Sequence, residues 1–200
     1  MPQSRRYKKK KSAGKAILAW IIVLAILVAG VFVFVSVFYE DAKKKLDEMN
    51  YPRTYSTYVE KAAKDYDLDP ALIYAVIHTE SGFDPKAESG VGAKGVMQMM
   101  PSSFEWLQEQ RGCAGQYTED DLFDPEICID YGSYLLKYFY DYYGTERSAI
   151  AAYNAGFVVS DWLNDTNYSS DGKNLDSIPY PETENYVDKV ESCLLYTSDA

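Results

Sequence analysis

Residues 16–38 carry no charged side chain and are almost wholly apolar. As a helix rising about 1.5 Å per residue, the stretch is long enough to cross a hydrocarbon core of roughly 30 Å. Past this span the apolar positions recur at steps of three and four, between helix-start and helix-stop signals. Asp69-Pro70 reads as a cap followed by a first-turn proline. Leu72, Val76 and Glu80 then fall on one face, and Gly82 ends the segment. Asp124-Pro125 repeats the signal and predicts a helix to Tyr143, stopped by Gly144, with Ile127, Tyr131, Tyr134, Leu135, Tyr138 and Phe139 as its core face. Shorter helices are predicted near Tyr55 (Tyr58, Val59 and Ala62 inward), from Pro101 (Phe104, Trp106, Leu107), over Ser148–Ala155, and from about Pro181. A polar loop over 164–181 precedes the last of these. No alternation supports a strand, so the predicted fold class is mainly α.

Charge gives the apolar span a direction. Seven basic residues, Arg5 to Lys15, precede it with no acidic residue among them. Positive flanks stay cytoplasmic, so residues 1–15 are expected as a disordered cytoplasmic tail and the rest of the chain as exterior. The span is too long for a typical signal-peptide core and no clear small-x-small cleavage site follows it, which favours an uncleaved single-pass anchor. Residues 39–54 mix charge and polarity and read as a short stalk. The chain has 20 basic and 30 acidic residues, so the part beyond the tail carries 13 against 30. That surface disfavours nucleic acid and anionic lipid as partners but admits a neutral polymer. At the far end, residues 192–200 break the preceding pattern and look like translated sequencing-adapter readthrough.

Cys113, Cys128 and Cys193 are the cysteines. Outside the membrane a Cys113–Cys128 disulfide is permitted, with two free buried thiols as the alternative. One histidine and no Cys-x-x-Cys leave no metal-ligand spacing, and no cofactor is implied. Three glycines within Gly90–Gly95 imply tight turns or close backbone approach. The stretch lacks the Gly-Lys-Ser/Thr of a phosphate loop.

The chemistry gathers at Glu80. A carboxyl group on the inward face of the last turn of a buried helix is disfavoured as an anion, so its pKa rises. Protonated near neutral pH, it can donate to a leaving oxygen. Taken alone, a partly exposed helix-end glutamate is the competing interpretation. His78, two residues away, is rotated by about 200° and does not share its face.

Four segments resemble one family. Glu80-Ser81-Gly82-Phe83-Asp84-Pro85-Lys86-Ala87, Gly92–Pro101, Ala151-Ala152-Tyr153-Asn154-Ala155-Gly156 and Glu182–Val187 are similar, in order and spacing, to the four motifs of the soluble-lytic-transglycosylase catalytic domain, a relative of goose-type lysozyme. The resemblance covers roughly residues 55–191 and implies a lysozyme-like α-helical catalytic domain behind a single N-terminal transmembrane helix. It further implies cleavage of the β-1,4 bond between N-acetylmuramic acid and N-acetylglucosamine in peptidoglycan, leaving a 1,6-anhydro end. Carried over by position, Glu80 is the acid and then the base. Ser89 lies near the N-acetyl or 6-hydroxyl side, with a turn-capping role as its alternative. Gln98 lines the cleft, and Met97 and Met100 flank the sugar, with core filling the alternative for Met97. Tyr153 orients Glu80, Asn154 holds a sugar, and Tyr186 sits near the acid. Asp84 is structural in the family pattern. The third motif departs from the family at Gly156-Phe157, where Gly-Pro is common. A lysozyme-like hydrolase, or an inactive wall-binding protein of the same fold, are the alternative functions.

Overall fold

In the computed structural model, residues 5–50 and 54–197 are described, with side chains over 17–39 and 54–194. They form two units, divided after Asn50.

The first unit is one helix, α1 (Arg5–Asn50). Over Ile17–Tyr39 it is long and apolar enough to cross a membrane. The helix does not stop at the edges of the apolar span. It runs from Arg5 through the expected disordered tail and on through the expected stalk to Asn50. Lys, Ala and Glu are good helix formers, and extending a nucleated helix fixes one residue per added hydrogen bond. The remaining parts of the tail (1–4), the stalk (51–53) and the C-terminal segment (198–200) lie outside the described residues.

The second unit is a helical domain. It contains α2 (Ser56–Tyr66), α3 (Pro70–Ser81), α4 (Pro101–Gln110), α5 (Pro125–Tyr143), α6 (Glu146–Ala155), α7 (Val159–Leu163) and α8 (Pro181–Thr197). Two 3₁₀ turns, Glu119–Phe123 and Gly156–Val158, join them. Among the described residues the only strand-like pairing is two isolated antiparallel bridges, Glu88–Lys94 and Lys94–Met99. The mainly α expectation holds.

The caps act as their residue types require. Asp69 accepts the Ala71 N–H at 2.8 Å and Asp124 the Glu126 N–H at 2.9 Å, each with proline at the first position. Gly82 and Gly144 end α3 and α5 in left-handed conformation. Helix α3 is the central element: Leu72, Ile73, Ala75, Val76 and Ile77 are all but inaccessible. It packs on α8 and α2, while α5 packs on α2 and α6, and α6 on α8. The α5 core face is Cys128, Ile129, Tyr131, Leu135, Leu136 and Phe139. Ile127, Tyr134 and Tyr138 are only half-buried.

Helix α8 continues past Ser192, and Val187, Val190 and Cys193 fall at steps of three and are buried together. Cys113 and Cys128 are not bonded to each other; both are free thiols, which corrects the expected disulfide. The Cys128 Sγ lies inside the core, where it accepts the Met97 N–H at 3.4 Å. The Cys113 Sγ lies 3.3 Å from the Tyr131 hydroxyl, beyond the C-terminal end of α4.

Candidate active site

Glu80 ends the buried face begun by Leu72 and Val76, one residue before α3 terminates. Burial lifts its carboxyl from 4.5 to about 7, and the Tyr186 hydroxyl is the group that pulls it back down. Tyr186 comes from α8. Its hydroxyl is buried and faces the carboxyl, with no partner in close hydrogen-bond geometry. Tyr153, from α6, is also within reach of the Glu80 charge. Burial first, and that charge second, push both phenols well above their ordinary value. Cys128 belongs to the same surroundings, its thiol raised to about 12 chiefly by burial. Three helices thus converge on one carboxyl group.

The glycine stretch forms the facing wall. Lys94 and Met99 exchange both backbone hydrogen bonds at 3.0 Å, closing a tight turn. Gly95 sits in that turn at φ +75°, and a Cβ there would come within 2.0 Å of the Leu122 carbonyl oxygen. This is the close approach that the run of glycines implies. The Lys94 ammonium, nearly buried, pairs with Glu119 at 3.1 Å and Asp120 at 3.0 Å, tying the turn to the first 3₁₀ segment. Ser81, beside the acid, donates to the Val96 carbonyl at 2.8 Å. The end of α3 and the glycine turn are therefore fastened to each other.

The expected site residues divide into those that line the site and those that build it. Tyr186 faces Glu80. The Tyr153 hydroxyl donates to the Met97 carbonyl at 2.9 Å, so it braces the glycine turn and does not orient the acid. Met97 is fully buried, its sulfur lying where a side chain on Gly132 would be. It is core, not a sugar contact. Gln98, at φ +46°, uses its amide group to donate to the Ala87 and Gly95 carbonyls, both at 3.0 Å. Its Oε1 takes part in neither of these bonds. Ser89 accepts the Ala93 N–H at 2.9 Å, which is the turn-capping alternative. Met100 is exposed at the start of α4. Asn154 is exposed and accepts from the Thr183 hydroxyl at 2.8 Å, joining α6 to α8. Asp84 caps the turn at Lys86, as a structural residue would. His78 stands edge-on to Phe83 and touches the Cys193 sulfur at 3.5 Å.

Sequence reasoning gave Ser81 and Lys94 no role of their own and took Cys128 only as a disulfide candidate. A signal existed for one of them: Lys94 is a lone cation amid small and apolar residues, and Glu119-Asp120-Asp121 is an acidic run able to receive it.

The transglycosylase SLT domain model matches residues 57–175, a stretch that holds Glu80, the glycine turn and the Tyr153-Asn154 pair but ends before Tyr186. The soluble lytic murein transglycosylase of Escherichia coli K12 is 32% identical over 146 residues, 72% of this chain and 23% of that protein. Membrane-bound lytic murein transglycosylase C of Actinobacillus succinogenes is 35% identical over 113 residues, 52% of this chain and 32% of its own length. Among solved structures, an inactive glutamate-to-glutamine variant of the lytic transglycosylase Slt from Pseudomonas aeruginosa superposes with a TM-score of 0.66 at 30% identity, covering 76% of this chain and 25% of that one. The chain spans about a quarter to a third of the length of these relatives.

Proposed function

Because this chain belongs to the transglycosylase SLT domain family, we propose that it is a lytic transglycosylase that cleaves the MurNAc–GlcNAc β-1,4 bond of peptidoglycan. The observation that carries the proposal is Glu80: a carboxyl group held half-protonated near neutral pH by burial at the end of α3, opposite the glycine turn.

Most glycosidases need two carboxyl groups, an acid and a nucleophile or base. The mechanism that the family resemblance implies uses one group twice, Glu80 as acid and then as base. Protonated Glu80 gives its proton to the departing glycosidic oxygen as the C1–O4 bond breaks, and the substrate's N-acetyl group stabilises the cationic anomeric carbon. The Glu80 carboxylate, steadied by the Tyr186 hydroxyl, then takes the proton of the sugar's own 6-hydroxyl as that oxygen bonds to C1. The product is a 1,6-anhydro ring, no water is consumed, and Glu80 ends protonated. Gln98 Oε1, Asn154 and Met100 are the positions offered to the sugar. Helix α1 anchors the enzyme, with the catalytic domain on the exterior side, where the wall polymer lies.

A digest of purified sacculi tests both activity and reaction type. Anhydro-ended fragments, one water lighter than reducing ends by mass spectrometry, are expected from the wild type and absent with Glu80→Gln. Reducing ends instead identify a hydrolase. Fragments released by Glu80→Gln at a rate near wild type would remove Glu80 from the mechanism.

A further inference from the structure

Several aromatic rings gather around Phe157, along chain segments that leave the site on two sides. Phe157 follows the Tyr153-Asn154 pair on the second 3₁₀ turn, Gly156–Val158. Trp106 belongs to α4, the helix that begins directly after the exposed Met100. The two rings meet nearly perpendicular with centroids 6.3 Å apart. Tyr138 and Tyr142 of α5 approach Phe157 at 6.1 and 5.9 Å, again close to perpendicular, and Phe139 lies at 5.4 Å. The Tyr143 hydroxyl lies 3.0 Å from Ser160 Oγ and 3.5 Å from the Phe157 carbonyl, bracing the turn that carries the ring. Phe157 is nonetheless 49% exposed and Tyr142 59%.

A ring held this firmly yet left half in water forgoes burial that would stabilise the fold. An exposed apolar patch with polar surroundings marks a binding surface. The strongly acidic domain argues against anionic lipid as its occupant. A pyranose suits it: the axial C–H groups give the sugar an apolar face that lies flat on an aromatic ring, while its equatorial hydroxyls stay in water. Phe157 follows Asn154 by three residues and Trp106 follows Met100 by six, so the patch belongs to the same chain segments as two of the positions offered to the sugar. We propose that Phe157, braced by Trp106 and Tyr142, is a stacking platform for a sugar ring of the glycan strand, away from the bond being cleaved. This rests on the lytic transglycosylase function and adds a length preference to it.

The test compares long glycan strands with the shortest oligosaccharide that the full-length protein cleaves in detergent. Phe157→Leu keeps the apolar volume but removes the flat ring. It is expected to lower the ratio of kcat/KM on long strands to kcat/KM on the short substrate roughly two- to tenfold, and Phe157→Tyr to restore the ratio. Tyr142→Ala, on the exposed rim, tests the same direction without disturbing the turn. An active wild type whose ratio is unmoved by Phe157→Leu and Tyr142→Ala overturns the platform alone, including the outcome in which those variants lose vesicle or protein binding instead. A wild type that cleaves neither substrate overturns the function beneath it.

Discussion

At the residue scale the decisive quantity is the protonation of Glu80. Its value of about 7 comes from desolvation, with Tyr186 acting in the opposite direction. The acid step needs the protonated form, so anhydro-product formation should fall as pH rises through about 7. Tyr186→Phe removes the group that favours the anion, and the falling limb should move to higher pH. A limb that stays in place or moves down would show that Tyr186 does not act on Glu80. Stability carries the same signature. The folded state binds more protons than the unfolded one between 4.5 and about 7, so this group makes the fold less stable as pH rises across that window. Glu80→Gln lacks the term. Relative to wild type, the variant should gain stability over the window, by up to about 3 kcal/mol at its upper end, measured by denaturant unfolding at a series of pH values.

At the scale of elements, the site depends on holding the glycine turn against the end of α3. Ser81, Tyr153, Gln98 and Cys128 each hydrogen-bond the backbone of that turn. Gly95 is the position with least tolerance, since its φ is positive and a Cβ meets a backbone carbonyl that cannot rotate away. Gly95→Ala should destabilise the domain by about 3 kcal/mol or more, read as a lowered midpoint of chemical denaturation. Gly90→Ala, with open space around it, serves as the comparison. Equal midpoints for the two would mean that the turn yields more easily than its geometry implies.

At the scale of the whole molecule, the apolar helix α1 and the helical domain that carries Glu80 are separate units. A chain shortened to begin at Thr54 should leave the membrane fraction, keep a helical circular-dichroism spectrum, and still release fragments from sacculi. Retention in the membrane fraction would place a second attachment within the catalytic domain. The acidic surface belongs to this scale too: it disfavours anionic polymers as partners.

The ends of α3 and α5 are local matters and were legible in the sequence, whereas the extension of α1 to Arg5 and Asn50 and the short helix α7 were not. Asp69-Pro70 with Gly82, and Asp124-Pro125 with Gly144, bound α3 and α5 as their caps require. The four-residue step from Leu72 to Glu80 likewise carried the burial of the acid, because neighbouring turns of a helix share a face wherever the helix goes. What lay between elements was not legible. Whether Tyr153 points at Glu80 or at the Met97 carbonyl, whether Met97 touches sugar or fills the core, and whether Cys113 meets Cys128 depend on distances between segments tens of residues apart. Spacing along a chain does not encode those distances. A match of residue types to a motif names the members of a site without assigning each hydroxyl its partner. That assignment was made by tertiary packing, where a buried polar group takes whichever acceptor the fold places within reach.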